Sequence, residues 1–283
     1  MRQVVMFVLI VLFLLGTWHL AEAVDLLKAY DTFEVGPISP DRWNGSTLGD
    51  SLYEGNRTIV VDPSGVGRDL RILNRSYART DSNIGLTFGS YGLTFKNPGS
   101  VTAIRARVQA LSVLSRGCSL NALPTLAIAQ LIGFFFNASV STPGNATDDI
   151  IAGVAVRRLS NSLDPANVLE VTAFVQRCTD PNCLSGPIRF MPLGKVTVGL
   201  WVRLLVQWDP DNDRFIFQRG SEALQFVSYV GLGGDVTDSA PPGSPSKRIG
   251  VDNFVPNCTD AVRPAASMNA LFDNVFVNQT PIP

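Results

Sequence analysis

The chain has 283 residues, with 23 basic and 24 acidic side chains, a net charge of −1 and 46% hydrophobic residues. Near-neutrality argues against a nucleic-acid binder, which needs a basic surplus on at least one face to neutralise phosphates. The one histidine, His19, falls in an N-terminal leader; without it the chain has no imidazole for Ser-His-Asp or Cys-His catalysis or for a histidine zinc site.

The leader comes first. Arg2 supplies a positive charge, residues 4–15 are an unbroken apolar run, and Ala21-Glu22-Ala23 is a small-x-small cleavage site. Residues 1–23 are therefore expected to be a cleaved signal peptide. The run falls short of the roughly 20 apolar residues of a membrane span, and no second stretch of spanning length follows. Residues 24–283 are expected to form one exported domain, not inserted in a membrane.

Short strands with turn signals recur along that length, with no amphipathic helix of three turns. Residues 25–30 have room for one helical turn. Residues 37–43 are turn-rich and end in a large anchor, Trp43. Strands are expected at 71–77, 86–88, 101–110, 126–136, 150–159 and 168–177. Within 101–110, Ile104, Ala106 and Val108 alternate with Arg105, Arg107 and Gln109. Residues 126–136 are apolar on both faces and belong at the centre of a sheet. In 168–177, Leu169, Val171, Ala173 and Val175 oppose Glu170, Thr172 and Gln176.

The stretch 196–218 organises the rest. Val202, Leu204, Val206 and Trp208 alternate with Arg203, Leu205 and Gln207, the period of a half-buried strand. Asp209-Pro-Asp-Asn-Asp-Arg214 is a turn, and Phe215 to Phe217 begins a second strand. This hairpin's wide apolar face requires a second sheet to cover it. Strands at 226–230 and 270–277 follow, separated by the loop-like stretch 233–246. The fold class is all-β, an antiparallel two-sheet sandwich with its first and last strands side by side.

Four cysteines in an exported chain read as two disulfides, with three possible pairings. Cys178 and Cys183 are close enough to staple one tight loop, which leaves Cys118 with Cys258. Four thiols holding a metal would be expected to show paired CxxC motifs, which are missing.

Three stretches resemble the concanavalin A-like lectin/glucanase superfamily, the jelly-roll group that includes laminin-G-like modules. They are Tyr30-Asp-Thr-Phe33 with Ile38-Ser-Pro-Asp-Arg-Trp43, Gly199-Leu-Trp201 leading through the central hairpin, and Phe272-Asp-Asn-Val-Phe-Val277. The resemblance implies a jelly roll with its ligand site on a concave face, and a structural calcium held on the convex side by Asp273. Laminarinase-type hydrolases of this group carry Glu-x-Asp-x-(x)-Glu on one strand. This chain has no such string: after residue 23 it has Glu34, Glu54, Glu170 and Glu222, none within five residues of another. Paired carboxylates are the usual requirement for glycoside hydrolysis.

The outward residues Arg105, Arg107, Glu170, Gln176, Arg203 and Gln207 are expected to bind a ligand, if their strands neighbour one another in the concave sheet. Guanidiniums and amides there would suit sugar hydroxyls or carboxylates, with Trp43, Trp208, Tyr77 and Tyr91 as stacking surfaces. The plain alternative is the solvated polar face of any antiparallel sheet. Asp209, Asp211 and Asp213 resemble a calcium loop, but Arg214 stands where the glycine belongs, so a turn is expected. Seven Asn-x-Ser/Thr sequons begin at Asn44, Asn56, Asn74, Asn137, Asn145, Asn257 and Asn278.

The sequence thus reads as a secreted, non-catalytic jelly-roll module that binds a glycan or surface polymer. The alternatives are a divergent glycoside hydrolase or lyase using Glu170, and a structural or adhesive protein that binds another protein.

Overall fold

A computed structural model describes residues 26–49, 52–82, 85–96, 101–137, 145–181, 183, 185–232 and 247–278; the 1–23 leader and the 233–246 loop lie outside them. The strands are β1 (Lys28–Asp31), β2 (Trp43–Gly49), β3 (Tyr53–Val61), β4 (Arg68–Tyr77), β5 (Leu86–Phe95), β6 (Ala103–Arg116), β7 (Leu126–Asn137) and β8 (Asp149–Leu159). Next come β9 (Val168–Arg177), β10 (Ile188–Thr197), β11 (Trp201–Asp209), β12 (Arg214–Arg219), β13 (Gln225–Ser228), β14 (Arg248–Pro256) and β15 (Ala265–Val277). Among the described residues the one helical element is a 3-10 turn at Pro210–Asn212, inside the central hairpin.

The strands form two antiparallel sheets. The large sheet has eight strands in the order β13-β12-β11-β6-β15-β4-β3, with β1 also paired to β15; the small sheet has seven, in the order β10-β9-β8-β7-β14-β5-β2. Alternation makes both the sheets and the core. Val202, Leu204, Val206 and Trp208 of β11, Ile104, Ala106 and Val108 of β6, and Phe215 and Phe217 of β12 turn inward from the large sheet. Leu169, Val171, Ala173 and Val175 of β9 and Ala127, Ala129 and Leu131 of β7 meet them from the small sheet. Each fully buried Val, Leu or Phe contributes roughly 1.5–3 kcal/mol. As expected, β7 lies at the middle of its sheet, fourth of seven.

The chain's two described ends meet, since β1 pairs antiparallel with β15. The helical turn expected at 25–30 is not there. Lys28–Asp31 is a strand because Tyr30 buries its ring while Lys28 and Ala29 stay exposed, and β15 supplies backbone partners. Tyr30 stands 4.9 Å from Trp43, and Phe95 stands 4.7 Å from it, closing one corner of the core. Trp43 also donates Nε1–H to Asp31 Oδ2 at 2.7 Å. Trp43 and Trp208 are thus core residues, not stacking surfaces for a ligand.

Two polar devices join the sheets. The disulfide Cys118–Cys258 ties the end of β6 to the end of β14, and Cys178–Cys183 closes the turn after β9, the expected pairing. Inside the sandwich, buried Asn74 of β4 donates Nδ2–H to the carbonyls of Gly89 at 2.8 Å and Val251 at 3.1 Å on the opposite sheet. Asn253 of β14 returns a bond to the Asn74 carbonyl at 3.0 Å.

Candidate functional site

The six residues expected to bind a ligand do not share a face. Arg105, Arg107, Arg203 and Gln207 stand on the outer side of the large sheet, where β6 and β11 pair with Arg203 opposite Arg107. Glu170 and Gln176 stand on the outer side of the small sheet, on β9. Alternation says which residues of a strand point outward; which sheet receives the strand is decided by connections that the period does not encode. Gln207 is also buried.

The outer face of the small sheet carries two adjoining recesses. Its register sets side chains in rows across β14, β7, β8, β9 and β10. One row reads Asp252, Ile128, Arg157, Glu170, Lys195; the next Gly250, Gln130, Ala155, Thr172, Pro192; the next Arg248, Ile132, Gly153, Phe174, Phe190. A recess of about 210 Å³ is floored by Leu126, Ile128, Ile132, Ile151 and Phe174 and edged by Gln130 and Gln176. A second, of about 290 Å³, is lined by Glu170, Pro192 and Lys195, and shares Arg157, Thr172 and Phe190 with the first. Gly153 is needed beneath: a Cβ there would stand 2.8 Å from the Phe174 ring, which lies across β8 in the space left.

Ion pairs fix the polar members. Arg157 donates Nε–H to Glu170 Oε2 at 3.0 Å, and its guanidinium lies 5.3 Å from the Phe190 ring centre. Phe190 is 53% exposed, high for a large apolar side chain with an aromatic neighbour, Phe174, 6.4 Å away. The β8–β9 connection at the rim is tied by Arg158, which donates to the carbonyls of Asp164, Pro165 and Val168. Lys195 adds an ion pair to Asp164 at 2.5 Å.

Beside the recess lies a buried polar trio absent from the sequence reading. Arg248 donates Nη1–H and Nη2–H to the two oxygens of Asp252 at 2.9 and 2.5 Å, and Gln130 donates Nε2–H to Asp252 Oδ2 at 2.5 Å. Arg248 and Asp252 are four residues apart on one strand, so the long side chain runs along β14 over Gly250. A Cβ at Gly250 would stand 2.8 Å from Arg248 Nη1. The signal was Arg-x-Gly-x-Asp at alternating positions, with a glycine inside a strand marking close approach.

The carboxylates of this face do not have the spacing of a hydrolytic pair. Asp252 and Glu170 stand three strands apart in their row, about 14 Å. The pairs that cleave glycosidic bonds stand roughly 5–9.5 Å apart, and here each carboxylate is engaged by a guanidinium.

Asp273 does not fit the calcium site implied by resemblance. Its Oδ1 accepts the Asn274 backbone N–H at 2.5 Å, and its Oδ2 takes Arg107 Nη1 at 3.3 Å and the Asn274 amide, so a guanidinium stands where a cation would bind. Among the described residues, no group of three or more His, Cys, Asp or Glu is arranged to hold a metal ion. Asp209 is a turn residue, accepting from Arg214 Nε at 2.8 Å and from Asn212. Of the sequon asparagines, Asn44 and Asn56 are exposed, whereas Asn74 and Asn257 are buried.

No protein-family model matches the chain, and no curated protein sequence does. Solved structures do. A pseudo β-1,3-glucanase and immunostimulatory antigen of Mycobacterium tuberculosis is 16% identical over 87% of this chain and 96% of its own, with a TM-score of 0.44. A glycoside hydrolase family protein of Mycobacterium thermorestibile is 14% identical over 89% and 99%, with a TM-score of 0.46. A GH131 β-glucanase catalytic domain of Podospora anserina is 13% identical over 88% and 87%, with a TM-score of 0.37. At these values none of the likenesses carries a function to this chain.

Proposed function

We propose that this protein binds a carbohydrate polymer on the outer face of the small sheet and does not cleave it. The observation that carries this reading is an apolar, aromatic floor with fixed polar tips beside it. Phe174, Phe190, Ile132 and Ile151 offer surface to the C–H faces of sugar rings, while Arg157, Glu170 and Gln176 offer donors and acceptors to their hydroxyls. Mostly apolar recesses with a few placed polar groups are how proteins hold and orient small ligands. Along β9 the face runs from Glu170 to Gln176, about 20 Å at a strand's rise per residue, room for a short run of rings. The Arg157–Glu170 pair holds both side chains in place before a ligand arrives, so less freedom is lost on binding.

Export is part of the same proposal and is supported by a different set of observations. Two disulfides join all four cysteines, which supports an oxidising compartment. No helix among the described residues is long and apolar enough to cross a membrane.

A panel of neutral glycans probed with the purified chain tests the reading, with reducing ends measured in the same samples. Retention of a glycan without new reducing ends is expected, and Phe190→Ala or Glu170→Gln is expected to weaken it tenfold or more. Equal retention by Phe190→Ala would remove this face, and release of reducing ends lost with Glu170→Gln would make the protein a hydrolase.

A further inference from the structure

The outer face of the large sheet carries a charge arrangement that the fold does not need. Arg203 on β11 stands directly opposite Arg107 on β6, and Arg105 is one outward position further along β6. Neighbouring strands lie about 5 Å apart, and like charges set directly opposite one another destabilise a sheet. The carboxylates near the cluster, Asp273, Asp62 and Asp69, gather at Arg107. Arg107 pairs with Asp273 at 3.3 Å, whereas Arg105 and Arg203 have no carboxylate partner among the described residues. Arg203 donates Nε–H and Nη2–H to the Gly220 carbonyl, at 3.1 and 2.6 Å, which satisfies donors but leaves the charge. Arg105 rests 4.5 Å above the Phe276 ring and Arg107 lies 4.5 Å above Trp201; both contacts steady a cation without neutralising it.

The cluster borders a space to bind in. A recess of about 400 Å³ opens beside β11, lined by Trp201 and Leu200 together with Lys195, Arg203, Arg219 and Glu222. Of its three cationic side chains, Lys195 is paired with Asp164 and Arg219 with Glu222, which leaves Arg203 without a carboxylate partner among the described residues, and Arg107 sits on the Trp201 ring at the edge. Arg203 is exposed and the Arg107 side chain is 40% exposed, so the N–H groups not spent on Gly220 and Asp273 can reach a ligand.

We infer that this recess is a second binding site, for an acidic sugar unit carrying a sulfate ester or a carboxylate on a polymer. Guanidiniums match both oxyanions with paired hydrogen bonds, and Trp201 supplies the flat apolar surface that a ring would take. The recess lies at the edge of the sandwich, where β11 and β12 meet β10, and shares Lys195 with the second small-sheet recess; its arginines belong to the large sheet, and the inference does not depend on the neutral-glycan reading.

Dextran sulfate, polygalacturonate, uncharged dextran and inorganic sulfate, titrated separately into the full chain, test the inference. Dextran sulfate or polygalacturonate is expected to bind, more weakly as salt rises from 50 to 300 mM, with uncharged dextran inert and inorganic sulfate at least tenfold weaker. Arg203→Glu and the double variant R105Q/R203Q are expected to lose tenfold or more, while Phe190→Ala binds the acidic polymers like the parent chain. In case a variant fails to fold, amide spectra of the unmodified chain give a second reading, with shifts expected on β6 and β11. Binding unchanged in the arginine variants, shifts confined to the small sheet, or inorganic sulfate as tight as its polymer would overturn the inference.

Discussion

Asp252→Ala should be among the most damaging single changes on the small sheet. The carboxylate accepts three charged or polar donors, two from Arg248 and one from Gln130. The Arg248 side chain is 10% exposed and that of Asp252 is 3% exposed, so removing the acid strands a guanidinium in a water-poor site. Breaking one half of a buried ion pair costs about 3–5 kcal/mol, a large part of the 5–15 kcal/mol or so that holds a domain together. With a urea dependence of about 2–3 kcal/mol per molar, the unfolding midpoint should fall by roughly 1.5 M. Replacing both partners, as in R248M/D252L, removes the stranded charge and should return the unfolding free energy to within about 1 kcal/mol of the parent or above it. Urea unfolding of the parent, both single variants and the double variant measures the coupling directly. A loss below about 1 kcal/mol for Asp252→Ala, or a double variant as weak as the single, would show that the pair is solvated and that this account of the face is wrong.

Two further expectations concern buried polar groups elsewhere. Burial, with the nearby charges of Asp62 and Asp273, pushes the Asp69 carboxyl from 3.8 up to about 7. The unfolded chain therefore releases this proton first, and Asp69 weakens the fold progressively as pH rises through the window between those values. Asp69→Asn should flatten the melting temperature between pH 4 and pH 7 and give the more stable protein at pH 8; parallel profiles would contradict this. Asn74 and Asn257 spend their amide nitrogens on Gly89, Val251 and Asp81, so neither has room for a sugar. Secreted from a glycosylating host, the folded fraction should carry N-glycans at Asn44 or Asn56 and none at Asn74 or Asn257 by peptide mass spectrometry. A glycan on Asn257 in folded protein would refute the buried placement.

The parts of the fold that depend on a repeat of two were readable from residues alone. The inward set of β11, the two-faced apolar character of β7 and the alternation of β9 follow from side-chain direction on a strand. β14 was not, because Arg248, Asp252 and Asn253 look like loop residues until a buried partner for each is known. Lys28–Asp31 looked helical because a single turn and a short strand differ by their neighbours, and the neighbour is β15, more than 200 residues away. The site suffered from the same gap. Glu170 and Gln176 were read correctly as outward, but their companions are Phe174 on the same strand and Arg157 and Phe190 in adjoining strands, not the arginines of β6 and β11. Pairing across a sandwich is a property of the whole chain, whereas alternation is a property of a few residues.

The disagreement between the two faces also separates two kinds of arginine. Arg157 and Arg248 have carboxylate partners in direct contact, so their burial is compensated and they shape the recess. Arg105 and Arg203 lack such partners, and desolvation together with the Arg203 charge lowers the Arg105 pKa. A charge left uncompensated on a folded surface costs stability, and a ligand of opposite sign would relieve that cost.

Hydrogen exchange of the full chain, with and without the glycan it retains best, tests where the polymer lies. Slowed exchange is expected in β8, β9 and β10, the strands that carry Arg157, Glu170, Phe174 and Phe190, with the Phe190→Ala chain showing none. Protection confined to β3 and β4, on the far side of the sandwich, would contradict it.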